Sequence, residues 1–283
     1  MKKKQTIFML GFLSGYFIIC SGWAFQGVRG IALSNAIRGA VGLNEALYVN
    51  PAGFAFSGRY SVEGQSFYLP SQQGPAFWVL NGSVVDAHLR GLQAGLGFSR
   101  KIQVGRDQFE NAYYLALSTI FKDIVSVGMT GKYFHQDLEN AENQMLNLDI
   151  GTFWVLTSQL QMGMVGHNVL GPKTHLGETL KRELGIGFRG KLWDFLMGSV
   201  DISKNLDRSW KEDIAVHGGL EFVRQTGILT QMGLSLSDQK DQNRYSFGLG
   251  WAQHKFGVFY AFQNSMDSLR RMTQALSLRI FFQ

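Results

Sequence analysis

Cysteine is almost missing: 283 residues contain one, Cys20. Everything beyond that position is therefore closed to disulfides and to cysteine-based metal or thiol chemistry. No stretch after the first 24 residues approaches 18 uninterrupted apolar residues, so no membrane-spanning helix is expected there. Proline is scarce (4) and charge is low, at 17% of residues, while Gly (34) and Phe (22) are abundant. That balance is unusual for a soluble exported domain. Glycine-rich phosphate loops and His/Asp/Glu metal clusters are also missing, since the "GIG" and "GLG" pairs fall inside an alternating pattern. Neither a metal nor another cofactor is expected.

The first 24 residues read as a secretory signal peptide. "MKKK" is a charged start, "IFMLGFLSGYFIIC" a short apolar core, and "SGWA" suits cleavage after Ala24. A lipoprotein signal would place Gly, Ala or Ser before an acylated cysteine, and Ile19 stands there instead. Removing Lys2, Lys3 and Lys4 lowers the net charge from +6 to about +3, too mild for a nucleic-acid partner.

From about Arg59 onward apolar and polar residues alternate. In "DIAVHGGLEFV", Ile214, Val216, Leu220 and Phe222 share one face, and Asp213, His217 and Glu221 share the other. About fourteen such segments begin near residues 59, 76, 91, 111, 124, 145, 159, 182, 195, 213, 227, 244, 255 and 274. Each runs about ten residues, the length of a tilted strand crossing a bilayer. From the fourth segment on, short links ("FKD", "LTSQ", "LWDF", "RQTG", "QHK") alternate with longer polar ones ("HQDLENAENQ", "NVLGPKTHLGET", "KNLDRSWKE", "SDQKDQNR", "NSMDSLRRMTQ"). Short periplasmic turns and long extracellular loops are the pattern of a Gram-negative outer-membrane barrel. Phe121, Trp154, Trp193, Phe195, Phe222, Trp251 and Phe256 lie near short turns, and Tyr133, Trp210, Tyr245 and Phe262 near long loops, as two aromatic girdles would. The predicted fold is an all-β, transmembrane, antiparallel up-and-down barrel of about 14 strands over residues 59–283.

If the apolar face meets lipid, the opposite face lines the lumen. Its predicted polar members are Lys132, Asp149, Arg189, Lys191, Asp201, Asp213, His217, Glu221 and Arg279. A Lys or Arg facing lipid at mid-depth would cost about 2–4 kcal/mol, which forces the inward placement. Both signs are present, which points to ion pairs across the lumen and away from a strongly ion-selective pore. The same face carries Gly128, Gly151, Gly163, Gly185, Gly187, Gly219, Gly233, Gly248, Gly250 and Gly257. Strand glycine marks either close approach of another backbone or a bend, and the sequence leaves both open.

The stretch 25–58 before the ladder neither alternates nor holds a long helix. Asn50–Pro51 is a helix start, with Asn as cap and Pro at the first helical position, but the helix would be one or two turns long and unstable alone. This segment resembles the N-terminal signature of FadL and PorV/PorQ-like outer-membrane barrels, through Arg29, Gly39, Ala40, Ala46, Leu47, Tyr48, Asn50, Pro51, Ala52 and Gly53, with Asn44–Glu45 where acidic pairs are frequent and Arg38 counted with the motif. The resemblance implies a fourteen-stranded barrel whose N-terminal segment folds inside as a hatch, and diffusion of hydrophobic compounds such as fatty acids. The short, polar loops depart from FadL-type capture loops, and PorV-like members serve instead as partners of a secretion machinery. The terminus "QALSLRIFFQ" is similar to a barrel-assembly signal except that Gln283 follows the last aromatic.

Two functions follow as expectations: a hatch-gated transporter for small hydrophobic molecules, or a plugged barrel serving as a platform for envelope proteins. Membrane lipid and the barrel-assembly machinery are expected partners of either. Catalysis is not expected: His217 is read as a structural lumen histidine, and His135, His167 and His175 lack a Ser/Asp partner at a telling spacing.

Overall fold

The computed structural model describes residues 27–40, 42–70, 76–88, 91–105, 109–138, 141–173, 180–210, 212–239, 243–266 and 272–282. The expected signal peptide, the first two residues of the expected hatch, His175 and Gln283 lie outside them.

Alternation becomes a wall of fourteen strands. Its first half is β1 (Tyr60–Leu69), β2 (Phe77–Asp86), β3 (Gln93–Gln103), β4 (Phe109–Phe121), β5 (Val125–Leu138), β6 (Ala141–Val155) and β7 (Leu160–His167). The second is β8 (Glu183–Trp193), β9 (Leu196–Asn205), β10 (Ile214–Val223), β11 (Ile228–Ser237), β12 (Arg244–Ala252), β13 (Phe256–Ser265) and β14 (Met272–Phe282). Each pairs antiparallel with its neighbours in sequence, and β14 closes on β1 with Tyr60 opposite Phe282 and Tyr68 opposite Gln274. Closure satisfies the backbone donors and acceptors that an open edge would leave bare in hydrocarbon. This is the transmembrane barrel that the sequence pattern predicts.

The two faces separate by chemistry. Leu96 (61% exposed), Leu115, Met129, Leu146, Val200 and Leu276 point outward, where an aqueous surface would penalise them and lipid does not. Inward-facing Ser61, Glu63, Asn81, Thr130, Asp149 and Asp201 are buried. At the short-turn end the outward aromatics pair, as Trp193 stacks on Phe195 at 6.3 Å and Trp251 meets Phe256 edge-on at 5.1 Å.

One expected loop is not a loop. Within "HQDLENAENQ", residues 135–138 continue β5 and residues 141–144 belong to β6, with Gln136 opposite Asn143 and Leu138 opposite Ala141. Its ladder carries polar side chains on both faces, including His135 Nε2 to Glu142 Oε1 at 2.8 Å and Asn143 Nδ2 donating to Gln136 Oε1 at 3.2 Å. Beyond the lipid nothing enforces alternation, so the pattern vanishes while the pairing persists.

The lumen is occupied by the leading segment. It comprises α1 (Gly27–Ala32), a run of turns, a 3-10 turn at Leu43–Glu45, α2 (Ala46–Val49) and a second 3-10 stretch at Pro51–Phe56. Asn50 caps the last of these, its Oδ1 accepting the Ala52 amide at 3.2 Å. Leu33, Ile37, Leu47 and Phe54 are at most 1% exposed, although pieces this short cannot hold themselves folded. Burial against the wall does it.

The inward glycines acquire one cause. A Cβ at Gly128 would stand 2.5 Å from the Pro51 carbonyl carbon, and one at Gly248 2.5 Å from Ala32 Cβ. At Gly151, Gly163, Gly185, Gly187, Gly219 and Gly233 it would likewise meet plug atoms, whereas Gly250 and Gly257 seat the Phe259 ring. Outward Gly64 and Gly82 have nothing within 4 Å of such an atom. Gly163→Ala is expected to cost about 1–3 kcal/mol through overpacking against the Arg38 carbonyl and to open Arg38 to trypsin while the barrel stays folded by gel mobility. Gly82→Ala, as the matched control, should leave Arg38 protected.

Candidate functional site

The site is the contact surface between plug and wall, which joins most of the residues singled out in the sequence. Arg29, from α1, lays a two-pronged guanidinium on the Glu221 carboxylate of β10, with Nε to Oε2 at 2.8 Å and Nη2 to Oε1 at 2.9 Å. Arg189 of β8 reaches Glu221 Oε1 at 2.6 Å, and Gln231 of β11 donates to Oε2 at 2.7 Å. Arg29 Nη1 also donates to the Ala40 carbonyl. One wall carboxylate thus gathers two arginines, one from the plug.

A second junction lies a strand away. Asp201 Oδ2 on β9 accepts the backbone amides of Ile37 and Arg38 at 2.9 and 2.7 Å. The preceding turn, left-handed at Ser34 (φ 47°) and Asn35 (φ 73°), aims both amides the same way, which gives the carboxylate two fixed donors. The Arg38 guanidinium pairs with Glu183 and approaches Asp201 at 3.5 Å. His217 is buried next to Ser203, with 3.3 Å between Nε2 and Oγ.

The third junction closes the seam. Arg279 Nη2 on β14 bonds both Glu63 oxygens on β1, at 2.9 and 3.0 Å, and lies 3.9 Å from Glu45 of the plug. Glu45 Oε1 accepts the Arg29 amide at 2.8 Å. Burial pushes the Glu45 carboxyl up, to about 7, helped by Glu63 and opposed by Arg279 and Arg29. Asn44 completes this corner, its Oδ1 accepting from Ser61 at 2.6 Å and its Nδ2 donating to Ser83 Oγ at 3.0 Å.

The far half of the plug is held through main-chain carbonyls, its own and the wall's. Ser126 donates to the Ala52 carbonyl at 2.6 Å, Thr130 to the Leu47 carbonyl at 3.1 Å, and Asn50 Nδ2 to the Thr152 carbonyl at 3.0 Å. Tyr48 packs edge-on against Tyr114 at 5.0 Å. Pro51, Ala52 and Gly53 are buried. Above them Asp149 Oδ2 takes Lys132 Nζ at 2.6 Å and His167 Nδ1 at 2.8 Å.

Two predicted lumen residues are rim residues instead. Lys191 pairs with the exposed Asp194 at the β8–β9 turn, 2.7 Å away. Asp213 precedes β10, where its carboxylate accepts from Asn205 at 2.6 Å. Both continue the parity of an inward row but stand at strand ends, Lys191 at the β8 bulge and Asp213 just before the first paired residue of β10. His167 also departs from expectation, because Asp149 is its partner across the β6–β7 ladder, with Lys132 and no nucleophile beside it among the described residues. Glu63, Glu183, Ser126 and Thr130 escaped notice in the sequence. Strand parity places them inward, but only closure of β1 on β14 brings Glu63 to Arg279.

The wall facing the plug is mixed, with apolar patches set among its buried polar residues. Phe67, Val79, Ala261 and Ala275 pack on Val28, Ile31 and Ala32. On the other side Ala112, Tyr114, Ala116, Phe134 and Met145 pack with Leu47, Val49 and Phe54, and Leu180, from the β7–β8 connection, joins the same cluster.

No protein-family model matches the sequence, and no curated protein does. Solved structures do resemble it. The Ralstonia pickettii toluene transporter TbuX superposes with a TM-score of 0.66 at 12% identity, covering 90% of this chain and 99% of that one. The CymD monoaromatic hydrocarbon channel gives 0.66 at 10% identity over 90% and 97%. A Pseudomonas aeruginosa FadL homologue gives 0.63 at 11% over 91% and 98%. The shared feature is the fold, and at that level the FadL-type resemblance of the leading segment is borne out.

Removing one partner of a buried ion pair strands the other, at a cost of about 3–5 kcal/mol. Glu221→Ala, which strands Arg29 and Arg189, is expected to lower barrel stability by about that much in urea titrations. Lys191→Ala at the rim should change it by less than about 0.5 kcal/mol. For Glu45 the sign is the reverse of a paired acid. Its folded pKa lies above the ordinary value of 4.5, so the folded plug binds the proton more tightly than the free segment. Its share of stability is present at low pH and is lost as pH rises through about 7. The hydrogen-exchange protection of Leu43–Val49, taken relative to the intrinsic base-catalysed rate at each pH, should fall from about pH 5 to about pH 8, and Glu45→Gln should flatten that dependence.

Proposed function

We propose that this protein is an outer-membrane transporter for small hydrophobic molecules, with its short turns in the periplasm and its N-terminal segment, residues 25–58, acting as the gate. The observation that carries the reading is the pair of apolar patches on the inner wall. A water-filled pore keeps a polar lumen, whereas here Phe67, Val79, Tyr114, Phe134 and Met145 face inward. Once the plug withdraws, those patches offer an apolar molecule contacts along the wall between its charged junctions. The likeness to a toluene transporter and to a monoaromatic hydrocarbon channel supports the same ligand class. With the plug docked the space is filled, so conduction requires displacement.

The filled lumen also favours a second reading, a permanently plugged platform for envelope proteins. The two differ in whether the plug moves. Ser34 Oγ of the plug and Ser246 Oγ of β12 are 2.7 Å apart, and residues 21–283 contain no cysteine. The pair Ser34→Cys/Ser246→Cys therefore offers a lock. In proteoliposomes, toluene or fatty-acid uptake should stop on oxidation and return on reduction. Uptake unaffected by the lock would overturn gating, and uptake equal to empty vesicles in both states would leave the platform reading.

A further inference from the structure

At the short-turn end, beside the β1–β14 seam, lies a cavity of about 270 Å³ that the plug does not reach. It is lined by Gly58, Arg59, His88, His254, Phe281 and Phe282. Three separate pieces of chain bring these together: the joint between plug and β1, the β2–β3 connection, and the β12–β13 turn. Main-chain bonds fix them, with the Ala87 amide on the Arg59 carbonyl at 3.1 Å and the Phe281 amide on the Lys255 carbonyl at 2.8 Å. The Arg59 guanidinium carbon lies 5.8 Å from the Phe281 ring centre. Left-handed Gly58 (φ 60°) turns the chain so that Arg59 meets this corner.

We infer that this cavity binds the phosphate-bearing headgroup of a membrane phospholipid from the leaflet at the short-turn end. Charge is the first argument. One guanidinium and two imidazoles line the cavity and, among the described residues, no carboxylate does; the nearby Asp86 Oδ1 accepts the His88 amide at 3.0 Å, and the adjacent turn residue Lys255 adds positive charge. A guanidinium with N–H donors around it suits a phosphate monoanion. Position is the second argument. Phe282 points outward, 48% exposed, with the Tyr60 ring 5.3 Å away, and Trp251 with Phe256 continues the same aromatic belt. Such belts lie at headgroup depth. The volume admits a headgroup, while acyl tails would run down the outer wall past Phe282. Basic pockets at that depth recruit lipid headgroups. Because Arg59 is the joint between plug and wall, a headgroup held there would fasten that joint, though binding itself does not depend on a moving hatch.

The test is native mass spectrometry of the full protein released from nanodiscs containing phosphatidylglycerol, phosphatidylethanolamine or, as an uncharged analogue with the same tails, diacylglycerol. Expected is retention of one phosphate-bearing lipid and no diacylglycerol, with at least a fivefold loss in Arg59→Gln/His254→Gln that still migrates as a folded barrel. Equal retention of diacylglycerol, or undiminished retention in the double variant, would overturn the site. Retention of soluble glycerol phosphate as strong as that of the lipid would overturn the lipid as its occupant.

Discussion

The structure rests on a mutual enclosure. The leading segment is made of pieces three to six residues long, too short to fold in water. The wall around it carries glycine where a barrel closing on its own side chains would need bulk. Neither half makes sense alone. Plug backbone enters the space that missing Cβ atoms leave at Gly128 and Gly248, so packing and recognition are the same contact.

Charge then fixes which plug and which depth. Moving a carboxylate or guanidinium out of water is costly unless partners surround it. Glu221, Asp201 and the Glu63–Arg279 pair each satisfy wall charges partly with plug groups: the Arg29 guanidinium, two plug amides and Glu45. A plug displaced by one residue would leave several of these unpaired at once. Apolar contact supplies attraction without direction, and the polar junctions supply register. The same economy would suit the contact to the gating proposed above. Its strength is divided among several discrete junctions, each of which can be exchanged for water once the segment starts to leave.

Much of this was legible in the residues. The alternation in β8 to β14 gave strands starting within two residues of those observed, because a bilayer on one side and a lumen on the other impose opposite demands on successive side chains. Asn50–Pro51 announced its cap for local reasons that need no tertiary context. The β5–β6 hairpin was illegible for the converse reason, as water on both faces erases the signal. Lys191 and Asp213 were misplaced because parity tells the face of a strand and not its height. His167 looked solitary because its Asp149 partner is close only across a ladder.

The amino-acid sequence by itself determined the number of strands, the face each one turns to lipid and the leading segment's inability to be either strand or lasting helix. These are local properties, written in period two and in its absence. The tertiary structure alone decided that glycine on the inner face means contact and not bending, that Glu63 belongs with Arg279 and Glu45, and that Arg59, His88 and His254 share one corner. Those facts depend on closing a sheet whose first and last strands lie more than two hundred residues apart in the chain, and no pattern of neighbouring residues encodes that distance.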